Sequence, residues 1–214
     1  SFAKVGDTVT LTLVSNEDLV AAPTVTIGGQ AATVIGGPAI YTASLVLSNS
    51  VANGSLPISV TNFADAAGNV GTDVSATTDG SSVTFDSTGP RPESFVRVGP
   101  TDELTSADSL VFQVNFSETV FGVDAADFSV TGSTTATVTN VAGLTGSAFR
   151  VTISGGNLAD FVGTVGLTSA SSVSYADTAG NAGFPFGGMG FVQQYTLAQV
   201  PDAPTNLSVD STIN

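Results

Sequence analysis

Apolar and polar residues alternate in short runs along most of the chain. The runs Thr8–Val14 and Leu110–Phe116 place an apolar residue at every second position. This two-residue period predicts β strands that bury one face. Shorter runs rich in β-branched and aromatic residues cover 24–27, 41–47, 56–60, 128–130, 135–141, 149–153, 165–167 and 195–197. Many short strands at this spacing predict an all-β fold of the sandwich or barrel type.

Helical signals are almost absent from the sequence. No segment sustains an apolar period of 3.6 residues. The one helical candidate is a single turn at Asp124–Asp127, where the Asp124 side chain could cap the first turn.

Two proline-containing breaks divide the chain. Phe85–Pro92 contains two prolines and a glycine, which cannot continue a central strand, and Val200–Pro204 contains two more prolines. The breaks predict a domain at 1–86, a second with longer insertions at 87–200, and a linker with the start of a further module at 201–214. Because Ser1 opens directly into strand-like sequence, we expect the chain to be a piece of a longer protein.

The two predicted domains are divergent repeats of each other. Asp65–Asn69 reads Asp-Ala-Ala-Gly-Asn and returns as Asp177–Asn181, which reads Asp-Thr-Ala-Gly-Asn. Asn16–Leu19 returns as Ser117–Val120, in each case just after a long alternating strand. Two marks in the same order indicate that both halves share one fold.

Charge and composition exclude several functional classes. The chain has 18 acidic and 4 basic residues, a net charge of −14, and no His, Cys or Trp. This charge disfavours binding to nucleic acid and to anionic lipid surfaces. Nucleophiles activated by His, and zinc sites built from thiolate or imidazole, cannot form. No apolar run approaches the roughly 20 residues of a membrane helix, so we expect no membrane insertion.

Several segments together resemble the bacterial Ig-like repeats of large surface adhesins. The segments that carry this resemblance are Val5–Leu11, Pro23–Ala32, Asp65–Asn69, Val114–Phe128 and Asp177–Asn181. The resemblance implies two tandem Ig-like antiparallel β-sandwich domains in a long extracellular protein at the bacterial cell surface. It implies neighbouring Ig-like repeats of the same chain as partners, and calcium near domain junctions, as in cadherin-like chains.

A calcium site is predicted where the two domains meet. In an Ig-type sandwich, the loop after the second strand and the hairpin before the last strand lie at the pole that faces the preceding domain. Glu118 lies in that loop, Asp177 in that hairpin and Asp86 in the linker. Converging carboxylates need a counter-charge. Since Lys and Arg are scarce, a hard cation such as calcium fits better, with Asn181 and Asp127 as further oxygen donors.

Domain 1 carries only part of the same constellation. Glu17 and Asp65, together with Asp18 and Asn69, would form half a site that lacks the linker carboxylate. A purely structural alternative applies to both domains, because Asp-x-Ala-Gly-Asn is also a good hairpin turn. In that alternative, Glu118 closes its own loop and Asp86 is ordinary linker polarity. The EF-hand calcium pattern is absent.

These observations predict a structural spacer or adhesive repeat of a bacterial surface or secreted protein, stiffened by calcium. The alternative is a carbohydrate-binding accessory module of a secreted enzyme, with a surface glycan or protein as its ligand. Exposed aromatic residues in the loop Phe184–Phe191 could stack on sugars, or they could cover the last strand or pack into a neighbouring domain. We expect no enzymatic activity, because small sandwiches rarely form the cleft with two opposed acids that a glycosidase needs.

Overall fold

The computed structural model describes residues 1–188 and 190–199, which form two compact units. Unit 1 contains Ser1–Gly89 and the short segment Ala176–Ala182. Unit 2 contains Pro90–Tyr175 and the described residues from Gly183 onward. The linker and further module predicted at 201–214 lie outside the described residues.

Strands form most of the regular structure in the described part of the chain. In chain order they are β1 (Phe2–Ala3), β2 (Thr8–Val14), β3 (Thr24–Ile27), β4 (Gln30–Ala31), β5 (Thr33–Gly36), β6 (Ile40–Val46), β7 (Gly54–Ser55), β8 (Ile58–Thr61), β9 (Thr84–Phe85), β10 (Pro92–Gly99), β11 (Leu104–Thr105), β12 (Ser109–Phe116), β13 (Phe128–Thr131), β14 (Thr137–Thr145), β15 (Ala148–Ser154), β16 (Gly163–Ser169), β17 (Phe191–Val192) and β18 (Gln194–Leu197). The all-β prediction is confirmed.

Two 3₁₀ helices of three residues each, Ala125–Asp127 and Leu158–Asp160, are the only helices in the described residues. Neither has the length or the apolar character to cross a membrane. The first is the predicted turn, and Asp124 caps it by accepting a hydrogen bond from the Ala126 N–H at 2.8 Å. The second was not predicted, because three residues are too few to show a helical period.

Unit 2 has the strand order of an immunoglobulin-like sandwich. One sheet runs β14-β15-β12-β10-β17 and the other runs β11-β18-β16-β13. In immunoglobulin nomenclature, β10, β12, β15 and β14 correspond to strands A, B, E and D, and β13, β16 and β18 to strands C, F and G. This is the ABED and CFG division of that fold, reached here from hydrogen-bonded pairing.

The core of unit 2 is closed by aromatic rings in place of a disulfide or Trp. Phe112 from one sheet meets Tyr195 from the other, with ring centroids 5.1 Å apart in an edge-to-face arrangement. Phe116 meets Tyr175 in the same manner at 5.0 Å. Such pairs stabilise a core beyond the burial of their area. Phe112, Tyr175 and Tyr195 are all at most 1% exposed.

Unit 1 contains three small sheets of three strands each. Its sheets run β2-β6-β5, β4-β3-β8 and β1-β9-β7. In the same nomenclature, β2, β6 and β5 correspond to B, E and D, β3 and β8 to C and F, and β9 to G. Apolar residues of unit 1 share one core, which includes Val25, Ile27, Ala43, Leu47 and Phe85.

The proline-containing segment between the units is shorter than the sequence predicts. Phe85 is 1% exposed and belongs to β9, and Pro92 is the first residue of β10. A proline can open a strand because its missing N–H removes no bond from the interior of the ladder. The break therefore comprises only the residues between these strands.

Unit 2 is expected to lose stability at alkaline pH. The Tyr175 hydroxyl donates a hydrogen bond to the Phe184 carbonyl at 2.6 Å. Burial of the phenol, and secondarily the charge of Asp127, raise the pKa of Tyr175 above its ordinary value. The unfolded state, with a tyrosine pKa near 10, therefore loses this proton first. The contribution of Tyr175 is complete below about pH 10, and thermal unfolding should show a falling melting temperature above it.

Tyr175→Phe provides the control for this pH dependence. The variant keeps the ring but has no titrating hydroxyl, so the decline between about pH 9 and 11 should become shallower. At neutral pH the variant should be less stable by about 1 kcal/mol, because the Phe184 carbonyl loses its donor. A decline as steep as that of the unmodified protein would contradict this assignment.

Candidate functional site

The two Asp-x-Ala-Gly-Asn segments fold into the same turn. In each, the Asp carboxylate accepts hydrogen bonds from the backbone N–H and the side-chain amide of the Asn four residues later. For Asp65 and Asn69 these distances are 2.8 and 2.7 Å. For Asp177 and Asn181 both are 2.8 Å. The residue pattern therefore builds a closed turn in both copies, as the structural alternative describes.

A glycine two residues after each turn permits close packing of an aromatic ring. A Cβ atom at Gly71 would lie 1.9 Å from the Phe63 ring, and one at Gly183 would lie 2.1 Å from the Tyr175 ring. The backbone N–H of each glycine donates to the carbonyl of the same aromatic residue, at 2.9 and 2.8 Å. In each copy the ring lies so close to the glycine that no side chain would fit at that position.

The Asp65 carboxylate accepts the hydrogen bonds of the first turn. Hydrogen bonds, first from the Asn69 side chain and then from the Asn69 backbone, lower the pKa of Asp65 below its ordinary value. The carboxylate remains partly accessible to solvent. These bonds therefore favour the charged form of Asp65.

Asp177 differs from Asp65 in its surroundings. Only 6% of Asp177 is exposed, and it is one of two acidic residues that are buried among the described residues. The Asn181 amide that donates to Asp177 also donates to the backbone carbonyl of Asp86, at 3.0 Å. The segment Ala176–Ala182 belongs to unit 1, so these contacts lie within one unit. Asn181 thereby fixes the second turn beside the end of β9.

Asp86 and Asp177 form a close pair of carboxylates. One carboxylate oxygen of each lies within 4.8 Å of the other. The Asp86 carboxylate also accepts the Thr88 N–H at 2.9 Å and the Asn53 amide at 3.3 Å. Within the described residues, the ion pairs are Lys4 with Asp7 and Arg97 with Glu103, and neither serves this pair. Two carboxylates held this close attract a cation.

Asn53 is a member of this site that sequence reasoning missed. Its amide donates to Asp86 and, at 3.1 Å, to the Thr88 hydroxyl. Its carbonyl oxygen accepts the Ser87 N–H at 2.9 Å. These bonds fix the backbone around Asp86. Asn53 precedes a glycine in the sequence, which indicates an ordinary turn and gives no sign of this role.

Glu118, the third predicted ligand, belongs to unit 2. It is partly buried and lies just after β12. The neighbouring Ser117 fixes this loop, because its N–H donates to the Arg91 carbonyl at 2.9 Å and its hydroxyl accepts the Arg91 N–H at 3.1 Å. The association of Glu118 with the pair in unit 1 stays a prediction.

The predicted half site of domain 1 contains fewer neighbouring acids. Glu17 and Asp18 are exposed, and the backbone of Leu19 forms a bridge with Asp65. In the described part of unit 1, Glu17, Asp18 and Asp65 do not form a group of three carboxylates within 4.8 Å of one another. Asn69 is committed to Asp65. Calcium at this position stays a prediction of the sequence.

Asp127 lies in the core of unit 2 with 1% exposure. One of its oxygens accepts the Ser174 N–H at 2.6 Å and the Ser174 hydroxyl at 3.1 Å. The other accepts the Asp124 N–H at 2.9 Å. Both oxygens therefore hold protein donors, which explains why this charge is buried. Its predicted role as a calcium donor stays a prediction.

Asp127→Ala is expected to destabilise unit 2 by about 1–3 kcal/mol, because it leaves buried N–H groups without an acceptor. If the carboxylate acts only within unit 2, the loss should be the same in excess calcium and in EDTA. Urea unfolding under both conditions measures the difference. A loss found only in calcium would instead identify Asp127 as a ligand.

The aromatic loop Phe184–Phe191 is partly integrated into unit 2. The Phe186 ring packs edge-to-face on Phe95 at 5.2 Å, so it belongs to the core of unit 2 itself. Phe184 is 57% exposed. Met189 and the side chain of Phe191 lie outside the described residues. The sugar-stacking alternative therefore loses one of its rings, since Phe186 is already packed.

Comparisons with known proteins yield solved structures only, since no family model and no curated protein matches the chain. Titin Ig tandem domains are similar at 10% identity and a TM-score of 0.26, covering 92% of this chain and 90% of that chain. Titin domains z1z2 in complex with telethonin give 12% identity, a TM-score of 0.26 and the same coverage. An endo-fucoidan hydrolase from glycoside hydrolase family 107 gives 9% identity and a TM-score of 0.25, covering 93% and 32%. The strand order within unit 2, rather than these similarities, carries the fold assignment.

Proposed function

We propose that this chain is a structural spacer or adhesive repeat of a long bacterial cell-surface or secreted protein, and that calcium stiffens it. The proposal rests on repeated immunoglobulin-like architecture combined with a close pair of acidic side chains. It includes an extracellular location, where calcium is abundant, and neighbouring repeats of the same chain as partners. It includes no catalytic activity, and incubation with polysaccharides is expected to release no products.

The observation that carries the proposal is the Asp86–Asp177 pair. The two carboxylates lie within 4.8 Å of each other, and one of them is 6% exposed. Burying one acid beside another is unfavourable unless a positive charge is present. Calcium is suited to this position because it accepts carboxylate and carbonyl oxygens in flexible geometry, usually six to eight of them.

The protein's hydrogen bonds organise this pair before any ion arrives. Asn53 and Thr88 fix the Asp86 carboxylate, and Asn181 fixes that of Asp177. The Asn181 amide nitrogen faces both Asp177 and the Asp86 carbonyl, so Asn181 acts here as a positioning residue. Its predicted role as an oxygen donor to calcium remains part of the proposal.

The proposal retains Glu118 as the third acidic ligand. With a carboxylate from unit 2, one ion would be coordinated by ligands from separate segments of the chain. Glu118→Gln keeps the size of the side chain and removes its charge, so we expect calcium affinity to fall without loss of the fold. An affinity equal to that of the unmodified protein would remove Glu118 from the ligand set.

Small-angle scattering tests the mechanical part of the proposal. With calcium bound, the radius of gyration is expected to rise, and the flexibility seen in EDTA to fall, because the linker becomes part of a coordination sphere. Magnesium serves as the control, since it demands near-octahedral geometry and sheds water reluctantly. Identical scattering profiles in EDTA and in calcium would contradict the stiffening function.

A further inference from the structure

Strand β2 has a free edge. All seven of its residues pair with β6, from Thr8 opposite Val46 to Val14 opposite Ile40. Among the described residues, no strand pairs with the other edge of β2, which is therefore an edge strand of its three-stranded sheet. A free edge offers unpaired backbone N–H and C=O groups that can accept another strand.

Unit 2 shows what occupies the corresponding edge in the other repeat. Leu11 pairs with Ala43, and its counterpart Phe112 pairs with Val151. β12 is thus the equivalent of β2. Unlike β2, it is paired on both sides, with β15 and with β10. Strand A of the immunoglobulin order is therefore present in unit 2 and missing from the described part of unit 1.

An apolar groove runs along β2 on the side where that strand would lie. It has a volume of about 790 Å³. The apolar residues that line it include Leu11, Leu13, Ile58, Val60, Phe63 and Val74. In unit 2 the equivalent position lies between β12 and β17, and β10 fills it. The groove therefore has the position that β10 occupies in the other repeat.

Burial of the equivalent side chains supports this comparison. Phe112 and Val114, which β10 covers, are both 0% exposed. Leu11 and Leu13, their counterparts beside the groove, are only partly buried. Leaving such side chains uncovered forgoes a stabilising contribution that a covering strand would supply.

The chain connection indicates from which side the covering strand would arrive. In unit 2, β10 ends at Gly99 and leads into β11, which pairs in parallel with β18. In unit 1, β1 pairs in parallel with β9, so β1 is the equivalent of β11. A strand equivalent to β10 would then be joined directly to the amino-terminal side of β1.

We propose that the groove of unit 1 binds an extended polypeptide strand that leads into β1 from its amino-terminal side, antiparallel to β2. The pairing of Phe95 with Val114 places the strand's large apolar residue opposite Leu13. Phe95 is 0% exposed, so this residue supplies the buried contact. Main-chain hydrogen bonds to β2 supply the rest of the interaction, as in other cases of strand addition.

An extended variant of the full chain tests the proposal. A copy of residues 90–102 is fused in front of Ser1, which gives it the same spacing to β1 that β10 has to β11. Amide hydrogen exchange of β2 should slow by about tenfold or more, and the melting temperature of unit 1 should rise. The matched control carries Phe95→Ser in the fused copy only, and it should lose most of both effects.

Two results would overturn the proposal. One is unchanged exchange of the β2 amides in the fused chain, with circular dichroism showing that the fold is intact. The other is protection of the same amides in the unextended chain that rises with protein concentration and accompanies dimers in analytical ultracentrifugation. The second result would assign the groove to another copy of the chain.

Discussion

Replacing Phe112 with Ala is expected to lower the free energy of unfolding of unit 2 by about 3–5 kcal/mol. Phe112 is 0% exposed and lies on β12, between β10 and β15. Its ring meets Tyr195 of the opposite sheet at 5.1 Å. The substitution removes this contact and leaves a cavity that two strand-paired neighbours cannot close.

Leu11→Ala is the matched variant in unit 1. Leu11 has the same register position on β2 but is only partly buried beside the groove. Its loss should therefore cost less than half as much as the loss of Phe112. Urea unfolding followed through assigned backbone resonances of each unit measures both values. Equal losses in the two units would contradict the difference in burial.

Asp177→Asn is expected to remove the stabilisation of the protein by calcium. If calcium is present at 100 times its dissociation constant, binding adds about 2.7 kcal/mol to the stability of the folded state. For a domain of this size, that corresponds to a rise of about 10–20 °C in melting temperature. The unmodified protein should show this rise between EDTA and calcium, and Asp177→Asn should not. Scanning calorimetry measures the difference directly.

Asp65→Asn is the control that separates the turn from the ion. Asp65 and Asp177 accept the same two bonds from the Asn four residues later. Only Asp177 has the Asp86 carboxylate beside it. Asp65→Asn should therefore lower the melting temperature a little in both conditions and retain the rise with calcium. Loss of the calcium effect in Asp65→Asn alone would contradict the assignment to Asp86 and Asp177.

The two-residue period predicted β2 and β12 well, because the alternation of apolar and polar residues in both strands is regular. The run Thr8–Val14 is β2 without any change of bounds, and Leu110–Phe116 is β12 short of one residue. In each strand, the less exposed residues stand at alternate positions. A regular pleat with one buried face leaves a direct trace in the sequence.

Strand β10 shows no regular alternation of apolar and polar residues in the sequence. Its pairing with β12 shifts register between Pro92 and Ser94 and again between Arg97 and Gly99. Each shift breaks the alternation of inward and outward residues. The prolines at its start added a second signal against a strand. The predicted linker therefore includes Pro92, the first residue of β10. For the same reason, the sequence shows no sign that the described part of unit 1 lacks a strand equivalent to β10.

The residues of the candidate site also differ in whether the sequence predicts them. The repeated Asp-x-Ala-Gly-Asn segments identify Asp177 and Asn181 as candidates, because the turn is formed by neighbouring residues of types that are typical of turns. The role of Asn53 depends on the backbone of Ser87 and Thr88, which is distant in sequence. No local sequence pattern indicates such a contact. A sequence pattern can therefore identify the residues that close a turn. It does not identify side chains, distant in sequence, that hold the site in place.

Isothermal calorimetry of calcium binding is the decisive test of the Asp86–Asp177 site. We expect the unmodified protein to bind calcium. Asp86→Asn and Asp177→Asn should each weaken the affinity by at least about tenfold, since each removes a charged ligand. Asp65→Asn leaves the Asp86–Asp177 pair unchanged, so it should retain the calcium affinity of that pair. A folded, unmodified protein that takes up no calcium, or an Asp86→Asn variant with unchanged affinity, would rule out calcium binding by this pair.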